Sequence, residues 1–339
     1  MTLDASPLWG WIGQRHRIYL KKNAGEPPPW TDDPVLREYS FCNVFRELDK
    51  VTVWLRENWR EPYADNENLW IAMCLARQIN WPDTLAEIGF PEFTYDADAV
   101  QRTLEARQAR KSPDGKPEKV YTGAYMISAP AGEYKGMRKP QYTAQIVVGA
   151  VWRRREEFHD LFVRTKEQPT MRAMHAWLKQ FRGWGDFMAY EVITDLRHTR
   201  YLRNAPDINT WAVAGPGAIR GLNRLHGRDY RRMISQEQAC AEMRELLELS
   251  RAHLPDFFPP LELREIEHSL CETDKWLRVR LGQGRIRAKY DAQPSALKSK
   301  LASVRARSRK QDDAAQMSLL DAGTGGMSPD AGHPRPKHQ

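Results

Sequence analysis

The chain has 339 residues, 41% of them hydrophobic and twelve of them tryptophan, enough for one large domain or two ordinary ones. No run approaches the roughly 18 apolar residues of a membrane span, no signal-peptide pattern opens the chain, and its four cysteines (Cys42, Cys74, Cys240, Cys271) lack zinc or iron–sulfur spacing. The formal charge of +8 is uneven: residues 278–310 hold eleven Lys/Arg against Asp291 alone, while residues 1–277 balance to zero.

Trp9, Ile12, His16 and Tyr19 recur at helical spacing and predict a helix over 8–22, ended by Pro27, Pro28 and Pro29. Residues 36–58 read as one amphipathic helix with Val44, Leu48, Val51 and Leu55 on its apolar stripe. Arg37, Tyr39, Asn43, Arg46 and Asp49 lie along it, and Arg46 with Asp49, three apart, is a candidate ion pair at a cleft. Residues 68–80 are apolar on nearly every side and predict a buried helix; Trp81 and Pro82 then turn the chain into a short helix capped by Asp83. Residues 110–117 are a loop. The next stretch, 118–150, is rich in Tyr, Thr, Gly and Val and reads as an irregular or small β insertion. Within it Lys135, Arg138 and Lys139 stand among Tyr134 and Tyr142, a mixture suited either to nucleic-acid strands or to a surface loop.

The most distinctive stretch is 171–197. Met171, Met174, Leu178 and Phe181 form one helical stripe, Gly183, Trp184 and Gly185 a tight turn, and Met188, Val192 and Leu196 a second stripe. Free amides at the second helix's start suit a DNA phosphate, which makes Gly183, Trp184 and Gly185 candidate DNA contacts; the plain alternative is a glycine C-cap followed by an ordinary helix. Asp207 follows Gly185 by twenty-two residues, and Gly215, Pro216 and Gly217 then open a helix carrying Arg220 and Arg224 one turn apart, a candidate pyrophosphate cradle. No GxxxxGK[ST] pattern occurs. Further helices are expected over 235–251 and 261–281, before a basic, largely disordered tail over 285–339. Residues 316–321, QMSLLD, are similar to the short peptide by which bacterial proteins hold the DNA sliding clamp.

The hairpin with Asp207 resembles the helix-hairpin-helix DNA glycosylase superfamily, where an aspartate at this distance faces a flipped-out base. Phe187 stands where lyase members carry a Schiff-base lysine, which excludes lyase chemistry through that position. Taken together, REYSFCNVFRELD, INWPDTLAEIG, GDFMAYEVITDLRHT, DINTWAVAGPGAIRGLNRLHGR and SLCETDKW resemble the alpha-glutamyl/putrescinyl thymine pyrophosphorylase group, related to the helical domain of 5-hydroxymethyl-deoxyuridine DNA kinases; the resemblance spans 8–285. It implies a mainly α, glycosylase-like catalytic domain over 1–284 in a phage-encoded protein of the bacterial host cytoplasm, with no metal and no cofactor. The implied reaction displaces pyrophosphate from 5-pyrophosphoryloxymethyl-deoxyuridine in double-stranded DNA with the amine of glycine, glutamate or putrescine, next to a hydroxymethyluracil DNA kinase. On that reading Asp207 takes the amine's proton and Arg220 and Arg224 meet the leaving group, with Gly215 and Gly217 amides beside them. Asn43, Arg46 and Asn209 contact the substrate, and Trp81 stacks on the base. A monofunctional glycosylase and a non-catalytic DNA-binding partner of the kinase are the alternatives.

Overall fold

The computed structural model describes residues 3–113, 115–124, 129–255, 257–284 and 289–290. Its helices in chain order are α1 (Ser6–Asn23), α2 (Pro34–Glu38), α3 (Lys50–Leu55), α4 (Leu69–Ile79), α5 (Pro82–Ile88), α6 (Ala97–Ala109) and the short α7 (Lys139–Gln141). They continue as α8 (Gly149–Arg153), α9 (Arg155–Phe162), α10 (Met171–Leu178), α11 (Asp186–Leu196), α12 (Pro216–Leu225), α13 (Gln236–His253) and α14 (Leu263–Arg280). Among the described residues there is no strand, only isolated bridges joining Tyr39 to Lys289 and Lys111 to Pro117. The fold class is mainly α, as the periodicities require. The compact unit runs from Met1 to Tyr290, past the expected boundary at 284, because Tyr290 N donates to Glu38 O at 2.8 Å and Lys22 Nζ donates to Tyr290 Oη at 2.7 Å. The tail from 291, with the clamp-like peptide 316–321, lies outside the described residues.

Two helices form the interior. Every residue of α4 is buried, and Asn80 closes it in the left-handed conformation at φ 46°, tolerable for asparagine because its short amide compensates locally. The other, α14, buries eleven residues, seven of them charged or hydroxylic, so its neighbours must supply polar partners. An aromatic cluster joins α4 to α9 and α10: Trp70 stacks on Phe158 at 4.0 Å, and Phe158 meets Trp177 at 5.4 Å. Caps fix the helix starts. Asp96, Thr170 and Ser235 accept amides of α6, α10 and α13, and Glu262 with Glu265 forms a reciprocal box on α14.

Three expectations are corrected. Residues 36–58 do not form one helix. The chain leaves α2 at Glu38, runs extended through Phe45, makes a 3₁₀ turn over Arg46–Leu48 and only then enters α3, because Asn43 and Asp49 bond to each other and hold the intervening loop. The 118–150 insertion is half helical: from Lys139 onward α7, a π-turn over Tyr142–Val148 and α8 bury Tyr142, Thr143, Ala144, Val147, Val148 and Val151. Asp83 sits in the first turn of α5, and Trp81 occupies its N-cap.

Candidate functional site

The loop that breaks the expected 36–58 helix, together with α11 and α14, assembles a cluster of charged groups. Arg46 is its hub. Its Nε donates to Asp49 Oδ2 at 2.7 Å, its Nη2 to Glu191 Oε2 at 3.3 Å, and its Nη1 lies 3.4 Å from His268 Nδ1. Asp49 Oδ1 also accepts the Asn43 backbone amide at 2.9 Å and Asn43 Nδ2 at 3.0 Å. Cys42 N donates to Glu272 Oε2, which pairs with Lys275 at 3.2 Å, and Lys275 lies over the Phe41 ring. Gly215 N donates to Glu267 Oε1 at 3.1 Å, and Glu267 interacts electrostatically with Glu191 and Arg46. The Arg46 and Asp49 side chains each keep 19% of their surface exposed, so solvent reaches this cluster.

Three buried polar atoms of the cluster have no protein partner: Arg15 Nη1, Asn43 Oδ1 and His268 Nε2. Each such orphan costs about 1–3 kcal/mol unless a water or ligand meets it. The Asn43 orientation is fixed, since Nδ2 donates both to Leu48 O at 2.8 Å and to Asp49, which leaves Oδ1 as a buried acceptor without a protein partner. Cys42, Asp49 and His268 bring ligand atoms within 4.8 Å of one another. Both Asp49 oxygens are already engaged, however, and the Arg46 guanidinium is in contact with two of the three residues, a poor setting for a cation.

Charges then alternate from this cluster into the interior. Glu191 meets Arg77 at 3.6 Å, and Arg77 grips Asp195 with two bonds of 2.5 Å. Asp195 faces Arg60, Arg60 pairs with Glu47, and Glu47 faces His198, which contacts Arg264 at 3.2 Å. Burial is the first influence throughout. It raises the Glu267 carboxyl to about 7, with Glu191 adding to it, and it drives His268 well below the usual imidazole value, with Arg46 and Arg264 assisting. Asp195 is also desolvated, but Arg77 prevails and holds it below the carboxylate range.

His198 is lowered to about 4 by burial, against the opposing pull of Glu47. In the unfolded chain it takes up a proton near 6.5. Its contribution to stability is therefore full above pH 6.5 and is lost as the pH falls toward 4. We expect the urea midpoint of the wild type, relative to a His198→Gln variant, to drop between pH 7 and pH 4.5; a constant difference would mean that the imidazole is not held neutral.

Several residues singled out in the sequence sit elsewhere, or differently. Arg220 and Arg224 do share a face, but both give Nε to Asp274, at 2.8 Å each, and Arg224 Nη2 is buried without a partner. Gly215 spends its amide on Glu267, and Gly217 packs so tightly that an added Cβ would lie 2.2 Å from Cys271 Sγ, so these glycines dock α12 on α14. Asp207 accepts the Met171 amide at 2.8 Å and the Arg172 amide at 2.9 Å, which makes it a second cap on α10. Asn209 is exposed in the turn that follows, and the half-buried Trp81 ring carries Lys119 Nζ at 3.9 Å.

The hairpin is present as α10, a turn through Gly183 (φ 86°) and α11 with Gly185 at its N-cap. Trp184 is not a surface residue: it is 2% exposed and gives its indole N–H to Val147 O at 3.0 Å, a plug that ties the turn to the helical half of the insertion. Beside the turn, Arg182 lies over Tyr134 at 5.2 Å, so hairpin and insertion share one surface. Lys135 is exposed there, Arg138 pairs with Glu105 at 2.9 Å, and Lys139 lies over Tyr121 at 4.3 Å. A groove of about 530 Å³ runs along the other flank of the hairpin, lined by Arg172, His175, Lys179, Trp211 and Arg244 among others. Asp207 is not among its lining residues.

Sequence reasoning reached Asn43, Arg46 and Gly215, which the fold does bring to one cluster. It missed Glu191, Glu267, His268 and Glu272, whose partners lie on elements distant in the chain. The only available signal was their crowding on one segment, Glu262, Glu265, Glu267, Glu272 and Asp274, within a helix that also has to be buried.

No helix among the described residues is long and apolar enough to cross a membrane. A 5-hmdU DNA kinase of Bacillus phage SP10 is 27% identical over 228 residues, which is 62% of this chain and 34% of that kinase, so the chain spans about a third of the relative's length. No solved structure matches. The family model described as the helical domain of 5-hmdU DNA kinase matches residues 4–285, almost the whole described unit, and the chain therefore belongs to that family.

Proposed function

We propose that this chain acts in thymine hypermodification of DNA, as a transferase that replaces the pyrophosphate of 5-pyrophosphoryloxymethyl-deoxyuridine with the amine of an amino acid or polyamine. The observation that carries the reading is the cluster around Arg46, where acids, guanidiniums and three unpartnered polar atoms meet within reach of solvent. The reacting carbon hangs from C5 of a stacked base, so the nucleotide has to be everted before it can enter such a recess. Asn43 Oδ1 offers an acceptor for the N3–H of a uracil ring and Arg15 Nη1 a donor for a ring carbonyl. Arg220 and Arg224, whose Nε atoms alone are bonded to Asp274, keep Nη groups for a departing pyrophosphate.

The hairpin is the proposed DNA-backbone contact, in the manner of the helix-hairpin-helix glycosylases. Gly183 and Gly185 lie at its turn, with Arg182 and Lys135 adding positive charge. Asp207 supports that surface by fixing α10. The basic segment 278–310 would add salt-dependent affinity for DNA. A hydroxymethyluracil DNA kinase is the proposed upstream partner, since it makes the ester on which the transfer acts. The clamp-like peptide 316–321 adds the sliding clamp as a proposed second partner.

A non-catalytic role is the second reading, favoured by the family's description as one domain of a kinase. One experiment separates the two. The protein is incubated with hydroxymethyluracil DNA, ATP, a hydroxymethyluracil DNA kinase and glycine, glutamate or putrescine in turn, and the digested nucleosides are weighed. A thymidine heavier by the amine is the expected result. A lost base would mean a glycosylase, and unmodified nucleosides with tight DNA binding would mean an accessory module.

A further inference from the structure

The N-cap of α12 and the middle of α14 meet at one carboxyl group that the sequence did not single out. Glu267 is anchored through Oε1 by the Gly215 amide, while its other oxygen has no partner among the described residues. The side chain is half-buried rather than sealed, and Gly215, its anchor, is likewise partly exposed. A carboxylate with one oxygen fixed by a backbone donor and the other without a protein partner has a defined lone pair to offer to a neighbouring proton.

We propose that Glu267 is the general base that deprotonates the attacking amine in the transfer described above, a role that rests on that reading. The bound ammonium, R–NH3+, gives one proton to the other Glu267 oxygen and becomes R–NH2. The nitrogen lone pair then forms the C–N bond to the methylene carbon on C5 of the uracil ring. The C–O bond to pyrophosphate breaks as it forms, and that electron pair leaves on the pyrophosphate oxygen. The product nitrogen releases its second proton to water, and Glu267 returns its proton to solvent before the next cycle.

The surroundings suit the task. Glu191 from α11 raises the carboxyl's proton affinity, Arg46 and Arg264 oppose it, and Tyr190 and Cys271 also interact with it electrostatically. Burial dominates and brings the group to about 7. At that value it is ionised in about half the molecules at neutral pH, yet basic enough to accept a proton. Asp207, the acid expected from the sequence, has both oxygens occupied by the amides of α10.

The test is Glu267→Gln with kcat measured across pH at saturating amine. The amide keeps an acceptor for Gly215 N, so the fold should persist. At pH 7 we expect a loss of roughly 100-fold or more in transfer with DNA binding unchanged. For the wild type, the rise in kcat should centre near pH 7 with glycine, glutamate and putrescine alike, because the titrating group belongs to the protein. A Glu267→Gln enzyme with wild-type rate and pH profile overturns the assignment while the transferase reading stands. A wild-type profile whose midpoint moves with each amine's own pKa also overturns it, independently of any variant. Failure of the wild type to transfer any amine would instead overturn the transferase reading, and the assignment with it.

Discussion

Replacing Arg77 with alanine should destabilise the protein by about 3–5 kcal/mol, the range seen when one partner of a buried ion pair is removed. Asp195 is 0% exposed and would be left in the interior without the two 2.5 Å bonds that now hold it. Arg60, 3.9 Å away, is the nearest remaining cation and is already committed to Glu47. Thr52 Oγ1 and Asn80 Oδ1, which accept from the same guanidinium at 3.3 Å, would lose a donor as well. For a unit of this size the melting temperature should fall by roughly 5–8 °C. The double variant Arg77→Met with Asp195→Leu should recover much of that loss, because it removes both charges rather than one. A loss below about 1 kcal/mol for Arg77→Ala would show that water reaches Asp195 and that the pair is not an interior one.

Gly221→Ala should be destabilising by about 1–3 kcal/mol, although alanine favours a helix over glycine by about 1 kcal/mol. The new Cβ would lie 2.5 Å from Leu270 O and 3.1 Å from Leu270 Cβ, and a backbone carbonyl in the middle of α14 cannot swing aside. Helix α12 would have to lift. That motion would pull the Gly215 amide from Glu267 and loosen the two arginines on Asp274, so transfer activity should fall together with stability. Gly185→Ala is the control, since nothing lies within 4 Å of the added atom. Urea unfolding of both variants decides the matter: equal midpoints would mean that the α12–α14 contact relaxes freely.

These interior contacts mark the limit of what local pattern can convey. The helical stripes of α1, α4, α10 and α11 were legible because a buried stripe needs apolar residues every three or four positions. Residues 36–58 kept that periodicity across a break, because Val44 and Leu55 reach the same interior from a loop and from a helix. Trp184 read as the tip of a turn, and its burial depends on Val147, thirty-seven residues earlier.

By itself, the sequence determined the helical class, the glycine-bracketed turn and the late concentration of positive charge. All of these rest on short-range spacing or on composition. The tertiary structure alone decided that Arg46, Glu191, His268 and Glu267 converge, that Asp207 caps a helix, and that Arg220 and Arg224 share Asp274. The partners in those contacts stand from about 35 to more than 200 residues apart. An acid on a helix has the same local spacing whether it faces water or a guanidinium from across the fold, and only the packed chain distinguishes the two.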